Sequence, residues 1–371
     1  STSRHFHMKI LFIASAGSTH SHKWISYFVS KNHHICWAAL NTTLTLVDSK
    51  IAYHQLSNAP HWSTLWLAYL RLLQLKKTFK PDIVHVHSGG SYGLMGWLLG
   101  FKNTVLTLWG SDILLNKSKP FLRMILPRII ASSRLITTDA KHMISEVEAL
   151  GVKSPNIKLI NFGVDTEKFQ PKKATRFIEK KFRLQGDFRV ISMRNFLPIY
   201  DLETLIRASV LVINKWPSAH FYLCGSGEQE QMLKLLVSQL KIEKNVHFLG
   251  FVPTGDLPEL LNSMDAYVST SKSDAGIASS TAEAMSCGLP AVISDVYDNK
   301  EWIRDGTSGV LFETGDEVQL AAKIDQVVKM SQRERRSIES AARKKLDEDN
   351  NFFYKMKNLE KNVERLSSGT I

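Results

Sequence analysis

The chain has 371 residues, 44% hydrophobic and 22% charged, which is the balance of a globular protein long enough for two cores. Its apolar runs, of which Leu94 to Phe101 comes nearest, fall far short of the roughly 20 residues of a spanning helix, and three scattered cysteines (Cys36, Cys224, Cys287) exclude a disulfide framework and a zinc site and point to a reducing cytoplasm. The formal net charge of +12 is lopsided: Met8 to Gly163 carries 17 Lys and Arg against 6 Asp and Glu, whereas Val164 to Ile371 carries 29 against 29, an asymmetry that speaks of partners and not of fold.

Met8 reads as the start of the folded chain, with STSRHFH outside it. KILFIASA then reads as a strand; it has strand length and no cleavage site, so it is not a signal peptide. The turn SAGSTHSHKWISYF (Ser15 to Phe28) leads into a helix. Gly17 permits close backbone approach there, and the helix start favours phosphate or sugar oxygens. His20 and His22 are candidate substrate contacts, with capping or solvated roles as competing readings. A long helix follows in TLWLAYLRLLQLKKTFK (Thr64 to Lys80), apolar over much of its surface with Lys76, Lys77 and Lys80 at its end.

In DIVHVHSGG, His85 and His87 stand two apart on a strand and share one face. They predict a polar lining at the strand end, His87 nearer the substrate; a metal site lacks a third ligand. TVLTLWGSD is the next strand, and Asp112 beyond it can cap the helix that follows. PFLRMILPRII (Pro120 to Ile130) mixes apolar residues with Arg123 and Arg128, interrupted by Pro127, and LITTD is a further strand. Basic residues beside apolar helix faces suit an anionic membrane surface; the competing reading is a solvated cover on the sheet. The charge comes with no nucleic-acid motif, so no nucleic-acid partner is expected.

Around Ile160 to Lys173 a Gly and a Pro frame a charged stretch, and the strand–helix pattern restarts with FRVISMR, HFYLCGSG, VHFLGF, AYVSTS and AVISD. Two such series predict two doubly wound, parallel-sheet α/β domains. DNNFFYKMKNLEKNVERL closes the chain as a helix with Phe352, Phe353 and Leu359 as anchors.

The most specific stretch is STSKSDAGIASSTAEAMSCGLPAVISDVYDNKEWIRDGTSGVLF (Ser269 to Phe312). A helix should begin near Ser279 or Ser280 and stop at Cys287-Gly288. Together with FGVDTEKF, GSGEQ, VHFLGFVP and DAYVSTS, this stretch resembles the donor domain of the fourth family of retaining glycosyltransferases, over about Ile160 to Val328, with a weaker echo before it. The resemblance implies a GT-B fold, two Rossmann-like domains facing a central cleft: 8–163 for the acceptor, 164–349 for the nucleotide sugar, and a helix at about 350–371 packing back on the first.

By that resemblance Glu283 would bind the donor ribose, although Ser280 and Glu283 also spell a capping box. The carboxylate that holds the transferred sugar should stand at Ala275; Asp274 is its nearest substitute, or else a solvated loop residue. Arg194 would grip the donor phosphates, with a surface ion pair as the competing role. Its usual Lys companion is missing, since Ile199, Tyr200 and Asp201 stand there. The grip then falls to Arg194, to the loop Gly276, Ile277, Ala278 and Ser279, and to Lys272. Gly225, in Cys224-Gly225-Ser226-Gly227, resembles the family's small glycine loop facing the donor, although Gly after a strand is often only a turn. Phe251, Val252 and Pro253 lie near the expected base. In the first domain TLWGSD (Thr107 to Asp112) resembles a family segment in which Trp109 replaces a His, and the resemblance leaves Asp112 as the carboxylate beside the expected reaction centre.

The activity implied is transfer of a sugar from a nucleotide diphosphate donor, UDP favoured, to a saccharide or lipid-linked saccharide, without a metal or other cofactor. An epimerase or hydrolase of the same fold, or a non-catalytic basic surface-binding protein, are the alternatives.

Overall fold

The computed structural model describes residues 7–41, 47–57, 62–109, 120–139, 141–150, 156–161, 163–274, 276–296 and 299–370. Two compact units emerge, Ser1–Phe162 with Phe353–Ile371, and Gly163–Phe352. The chain crosses between them twice. The second unit pins its two ends together: Val164 N donates to Asn350 O (2.8 Å) and Phe352 N to Val164 O (3.0 Å).

The first unit is built on seven parallel strands, β1 (Lys9–Ile13), β2 (His34–Ala39), β3 (Ile51–Gln55), β4 (Ile83–His87), β5 (Thr104–Leu108), β6 (Leu135–Thr138) and β7 (Ile157–Leu159), in the order β3-β2-β1-β4-β5-β6-β7. β1, β4, β5 and β6 are the strands expected from the sequence. Near-continuous burial of β1, β4 and β5 is what a parallel sheet covered on both faces requires. The helix Ser91–Leu99 lies unusually close to β4. A Cβ on Gly96 would stand 2.5 Å from a Val86 methyl, and one on Gly93 2.9 Å from Ser88 O, so these glycines set the packing distance. The helix Pro120–Ala131 runs through Pro127, where the sequence pattern predicted an interruption. The last helix, Phe352–Ser367, buries Phe352, Met356, Leu359, Val363 and Leu366. Their spacing of three and four is one helical stripe, and Phe353, expected as an anchor, falls off it and is exposed. Glu360 of this helix accepts from Tyr27 Oη (2.8 Å) and pairs with His33 Nε2 (2.9 Å).

The second unit has six parallel strands, β8 (Phe188–Ser192), β9 (Ala219–Cys224), β10 (Val246–Gly250), β11 (Ala266–Ser269), β12 (Ala291–Ser294) and β13 (Val310–Phe312), in the order β10-β9-β8-β11-β12-β13. The helices Leu202–Lys215 and Glu317–Val328 close one face over Val190, Phe221, Val268 and Val292. The helix Ser279–Ser286 covers the other, with Ala282 and Met285 among Tyr267, Ile191 and Ile293. Both sheets reverse their strand order once, at β1/β4 and at β8/β11, and in such sheets ligands bind beyond the carboxyl ends of the strands at that point.

Candidate active site

In the second unit the chain leaves β8 into Arg194 and leaves β11 into Thr270-Ser271, so the reversal brings these segments side by side. Arg194 is buried, and its Nη2 donates to Asp274 Oδ1 and to Ser271 Oγ (3.4 Å). Ser271 Oγ in turn donates to Asp274 Oδ1 (3.2 Å) and to Ser273 O (3.0 Å). The guanidinium carbon lies 4.1 Å from the Tyr200 ring centroid, a cation–π stack that fixes the plane of the fork. Burial works against the Arg194 charge, but Asp274 more than compensates and the group is held above its ordinary value. Burial pushes the Asp274 carboxyl up, against the pull of Arg194, Ser271 and Asn299. Arg194 Nε is buried with no partner among the described residues, an unspent donor in a place where leaving one costs about 1–3 kcal/mol.

The helix Ser279–Ser286 begins beside this pair. Its N-cap is Ala278, in extended geometry, and no side chain caps it. The first amides, which have no intrahelical acceptor, therefore lack the usual side-chain substitute. Ser280 lies inside the helix, and its hydroxyl is bonded to Tyr267 Oη (2.8 Å), to which Thr281 Oγ1 also donates (3.4 Å). This excludes the Ser280–Glu283 capping box, because a residue already helical cannot serve as the cap. The chain builds a true box elsewhere, at Ser331 and Glu334. Glu283 lies one turn into the helix and is half-buried. At the other end Arg343 Nη1 donates to Ser286 O and Phe169 O, and Ser286 Oγ to Phe169 O, which holds the helix carboxyl end against its neighbours.

The remaining donor-side residues divide. Gly276 takes a left-handed φ of 70°, and Ala278 and Ser279 form the uncapped helix start. Ile277, expected in the phosphate loop, buries its side chain in the core with Ala282 and Met285, so only its backbone can face a ligand. Gly225, expected to face the donor, answers to packing: its N donates to Gly250 O (2.9 Å), and a Cβ there would stand 2.6 Å from Arg194 O. Its bareness serves Arg194, whose backbone it supports. Lys272 is exposed, with Nζ 3.2 Å from Asp201 Oδ1. Its backbone N donates to Ile199 O (2.8 Å) and Thr270 Oγ1 to Tyr200 O (2.9 Å), which puts a cation beside the segment that lacks a lysine of its own. Phe251 is exposed and Val252 buried.

In the first unit, Ser18 caps the helix Thr19–Ser30 by accepting from Ser21 N (3.3 Å), and Gly17 N donates to Ser15 Oγ (3.3 Å). His22 Nε2 meets Ala16 O (2.8 Å), a tie that braces the turn. His85 and His87 do share a face, with ring centroids 4.8 Å apart. His87, expected to line the substrate surface, is instead wholly covered. Its Nδ1 meets Ser21 Oγ (3.0 Å), and the indoles of Trp24 and Trp109 stand edge-on to it at 5.7 and 5.3 Å. Burial keeps all three imidazoles here neutral: His85 is pushed down to about 3, His20 to about 4, and His87 well below its ordinary value. No cluster of three metal-binding side chains occurs among the described residues. Asp112 lies outside the described residues.

Sequence reasoning missed Tyr200 and Tyr267, which act on Arg194 and on the helix start. Both were within quoted stretches, but the ring of Tyr200 under Arg194 and the hydroxyl of Tyr267 on Ser280 are contacts that position in the sequence does not show.

The profile of the group 1 glycosyl transferases matches residues 173–345, and that of the glycosyl transferase 4-like proteins matches residues 9–140. Among curated relatives, the amylovoran biosynthesis glycosyltransferase AmsK of Erwinia amylovora is 26% identical over 303 residues, 79% of this chain and 72% of that one. The UDP-Gal:alpha-D-GlcNAc-diphosphoundecaprenol alpha-1,3-galactosyltransferase of Escherichia coli is 28% identical over 264 residues, 67% of this chain and 66% of that one. Among solved structures, the sucrose-phosphate synthase of Thermosynechococcus elongatus has a TM-score of 0.83 at 15% identity, covering 98% of this chain and 100% of that one. HepE of Anabaena, solved with UDP-glucose, has 0.82 at 19%, covering 96% and 100%.

Proposed function

We propose, from the premise that this chain belongs to the GT-B glycosyltransferases, that it moves a hexosyl group from a UDP-sugar to a lipid-linked saccharide with retention of configuration. The setting is envelope polysaccharide or glycolipid assembly at an anionic membrane surface. The observation that carries the reading is the buried Arg194, with an unpartnered Nε, beside an uncapped helix start that has a carboxylate one turn in. That combination offers a fixed fork and free amides to a diphosphate, and an acceptor to hydroxyls.

In this reading the donor diphosphate takes the amides of Ser279 and Ser280 and the Arg194 fork, with Lys272 at its edge. Glu283 accepts from the ribose hydroxyls, and Asp274 accepts from the transferred sugar. The bond from the anomeric carbon to the diphosphate breaks while the acceptor oxygen bonds to that carbon on the same face, and the acceptor proton passes to the departing phosphate. The fixed cation and helix amides stabilise the leaving charge without a metal. UDP and a lipid carrier are favoured because one relative is named for both and another is an alpha-monoglucosyldiacylglycerol synthase.

The test is a panel of nucleotide sugars with a polyprenyl-diphosphate saccharide, in excess chelator, with the product anomer assigned by NMR. Transfer from a UDP-sugar with retention supports the reading. Release of sugar only to water would make the chain a hydrolase, and a strict need for a divalent cation would overturn the metal-free mechanism.

A further inference from the structure

Where the family resemblance calls for a lysine beside Arg194, this chain has Ile199, Tyr200 and Asp201. Pro198 opens a single 3-10 turn there, Pro198–Tyr200, and Asp201 ends it in the left-handed region at a φ of 46°, which Asp tolerates better than most residues. Asp201 Oδ2 accepts from Thr204 Oγ1 (2.9 Å), which fixes the turn to the start of the helix Leu202–Lys215. The other side of the turn is laced to the exit of β11, where Lys272 N donates to Ile199 O (2.8 Å) and Thr270 Oγ1 to Tyr200 O (2.9 Å). Bonds on both flanks therefore leave the Tyr200 ring little freedom.

That ring is half-buried and belongs to neither hydrophobic core of the second unit. Its one aromatic or cation–π contact among the described residues is Arg194, whose guanidinium carbon lies 4.1 Å from the centroid. The Nη2 of that guanidinium donates to Asp274 Oδ1 and Ser271 Oγ, while Nε has no partner among the described residues. A planar fork bonded through Nη2 can still pivot about it, and a fork that pivots loses the angle a hydrogen bond from Nε needs. A ring against the guanidinium face removes that freedom. A lysine in the same place would add charge but no face to rest on.

We propose that Tyr200 takes over the work of the missing lysine by geometry instead of charge: it is the positioning residue that holds the Arg194 fork in the plane in which Nε meets the donor diphosphate. The inference deepens the reading of Arg194 given above and rests on it.

The experiment is a double-mutant cycle on the full chain, read by calorimetric titration with UDP and with inorganic pyrophosphate, beside kcat and KM for sugar transfer. Tyr200→Leu should weaken the binding of both probes by about tenfold. It should lower kcat as well, because the leaving charge forms on the same fork. Tyr200→Phe keeps the ring and should restore most of both losses. In an Arg194→Lys background, Tyr200→Leu should cost no more than about twofold further, since an ammonium has no plane to hold. Melting temperatures should stay close to that of the wild type, as the ring lies outside both cores. A loss of equal size in both backgrounds would make Tyr200 a support of the loop and overturn the proposal. Failure of Tyr200→Phe to restore binding would assign the effect to the hydroxyl and overturn it too, and a loss confined to UDP would do so by placing the ring at the nucleoside. A chain that shows the expected cycle in binding yet transfers nothing overturns the reaction alone. One that transfers sugar with Tyr200→Leu unimpaired overturns the positioning role alone.

Discussion

Arg194 and Asp274, 80 residues apart in sequence, form a buried ion pair that is stacked on Tyr200 and braced by Ser271. A candidate phosphate-binding cation and a candidate sugar-binding carboxylate thus hold each other, and the carboxylate restrains the charge that a diphosphate would claim.

Asp274→Asn should therefore separate stability from nucleotide affinity. Removing one partner of a buried pair costs about 3–5 kcal/mol because the other charge is stranded. A nucleoside diphosphate should restore part of that by supplying the missing anion, so the variant's melting temperature should rise more with UDP than the wild type's does. Sugar transfer should fall. An equal rise in both proteins would show that Asp274 does not restrain Arg194.

Arg194→Ala should lower turnover on the order of a hundredfold or more, the usual loss for one fixed electrostatic stabiliser. Arg194→Lys keeps the charge without the fork and should fall between. Unchanged steady-state kinetics in the Ala variant would remove Arg194 from the site.

Ala278→Asp should stabilise the protein and impair it. Ala278 occupies the N-cap with extended geometry and gives no side-chain bond, so Asp there can cap the helix for about 0.5–2 kcal/mol. The same carboxylate occupies the amides and repels the diphosphate, so donor KM should rise while denaturant resistance improves. A variant with better stability and unchanged KM would place the phosphates elsewhere.

Glu283→Ala should weaken donor binding by about 10- to 100-fold, the scale of a charge-assisted hydrogen bond. The helix start should be unaffected, because Glu283 is not part of its cap. Calorimetric titration with the donor nucleotide, beside a melting curve, separates the two.

The buried imidazoles give the stability a pH sign. His85 and His20 are depressed to about 3 and about 4 in the folded chain from 6.5, so below that value the unfolded state binds more protons. Their contribution is complete above pH 6.5 and is lost as pH falls toward 4, at up to about 1.4 kcal/mol per pH unit for each group. Urea titrations followed by tryptophan fluorescence should show this slope, and His85→Asn should reduce it by about one proton. A flat profile between pH 6.5 and 5 would mean these rings do not stay neutral.

Alternation of β-branched runs with helical stretches was enough for two parallel-sheet domains, because a strand buried on both faces must be apolar throughout. The same logic misses β2, β3, β7 and β13: β7 and β13 have three residues each, and β3 is half-exposed. The polar loop and helix of Ser269 to Phe312 were legible as a site because Gly, Ser and a carboxylate crowd a strand end.

Sequence by itself thus determined the fold class, the extent of the donor motif and the unequal charge of the two halves, all of which are local or additive properties of the chain. Tertiary structure alone decided the partners: Arg194 with Asp274, Tyr267 with Ser280, Gly225 against Arg194, and His87 beneath Trp109. The first joins strand ends that become neighbours only where the sheet order reverses, and the others depend on how neighbouring strands and the helix after β11 pack, which spacing along the chain does not show.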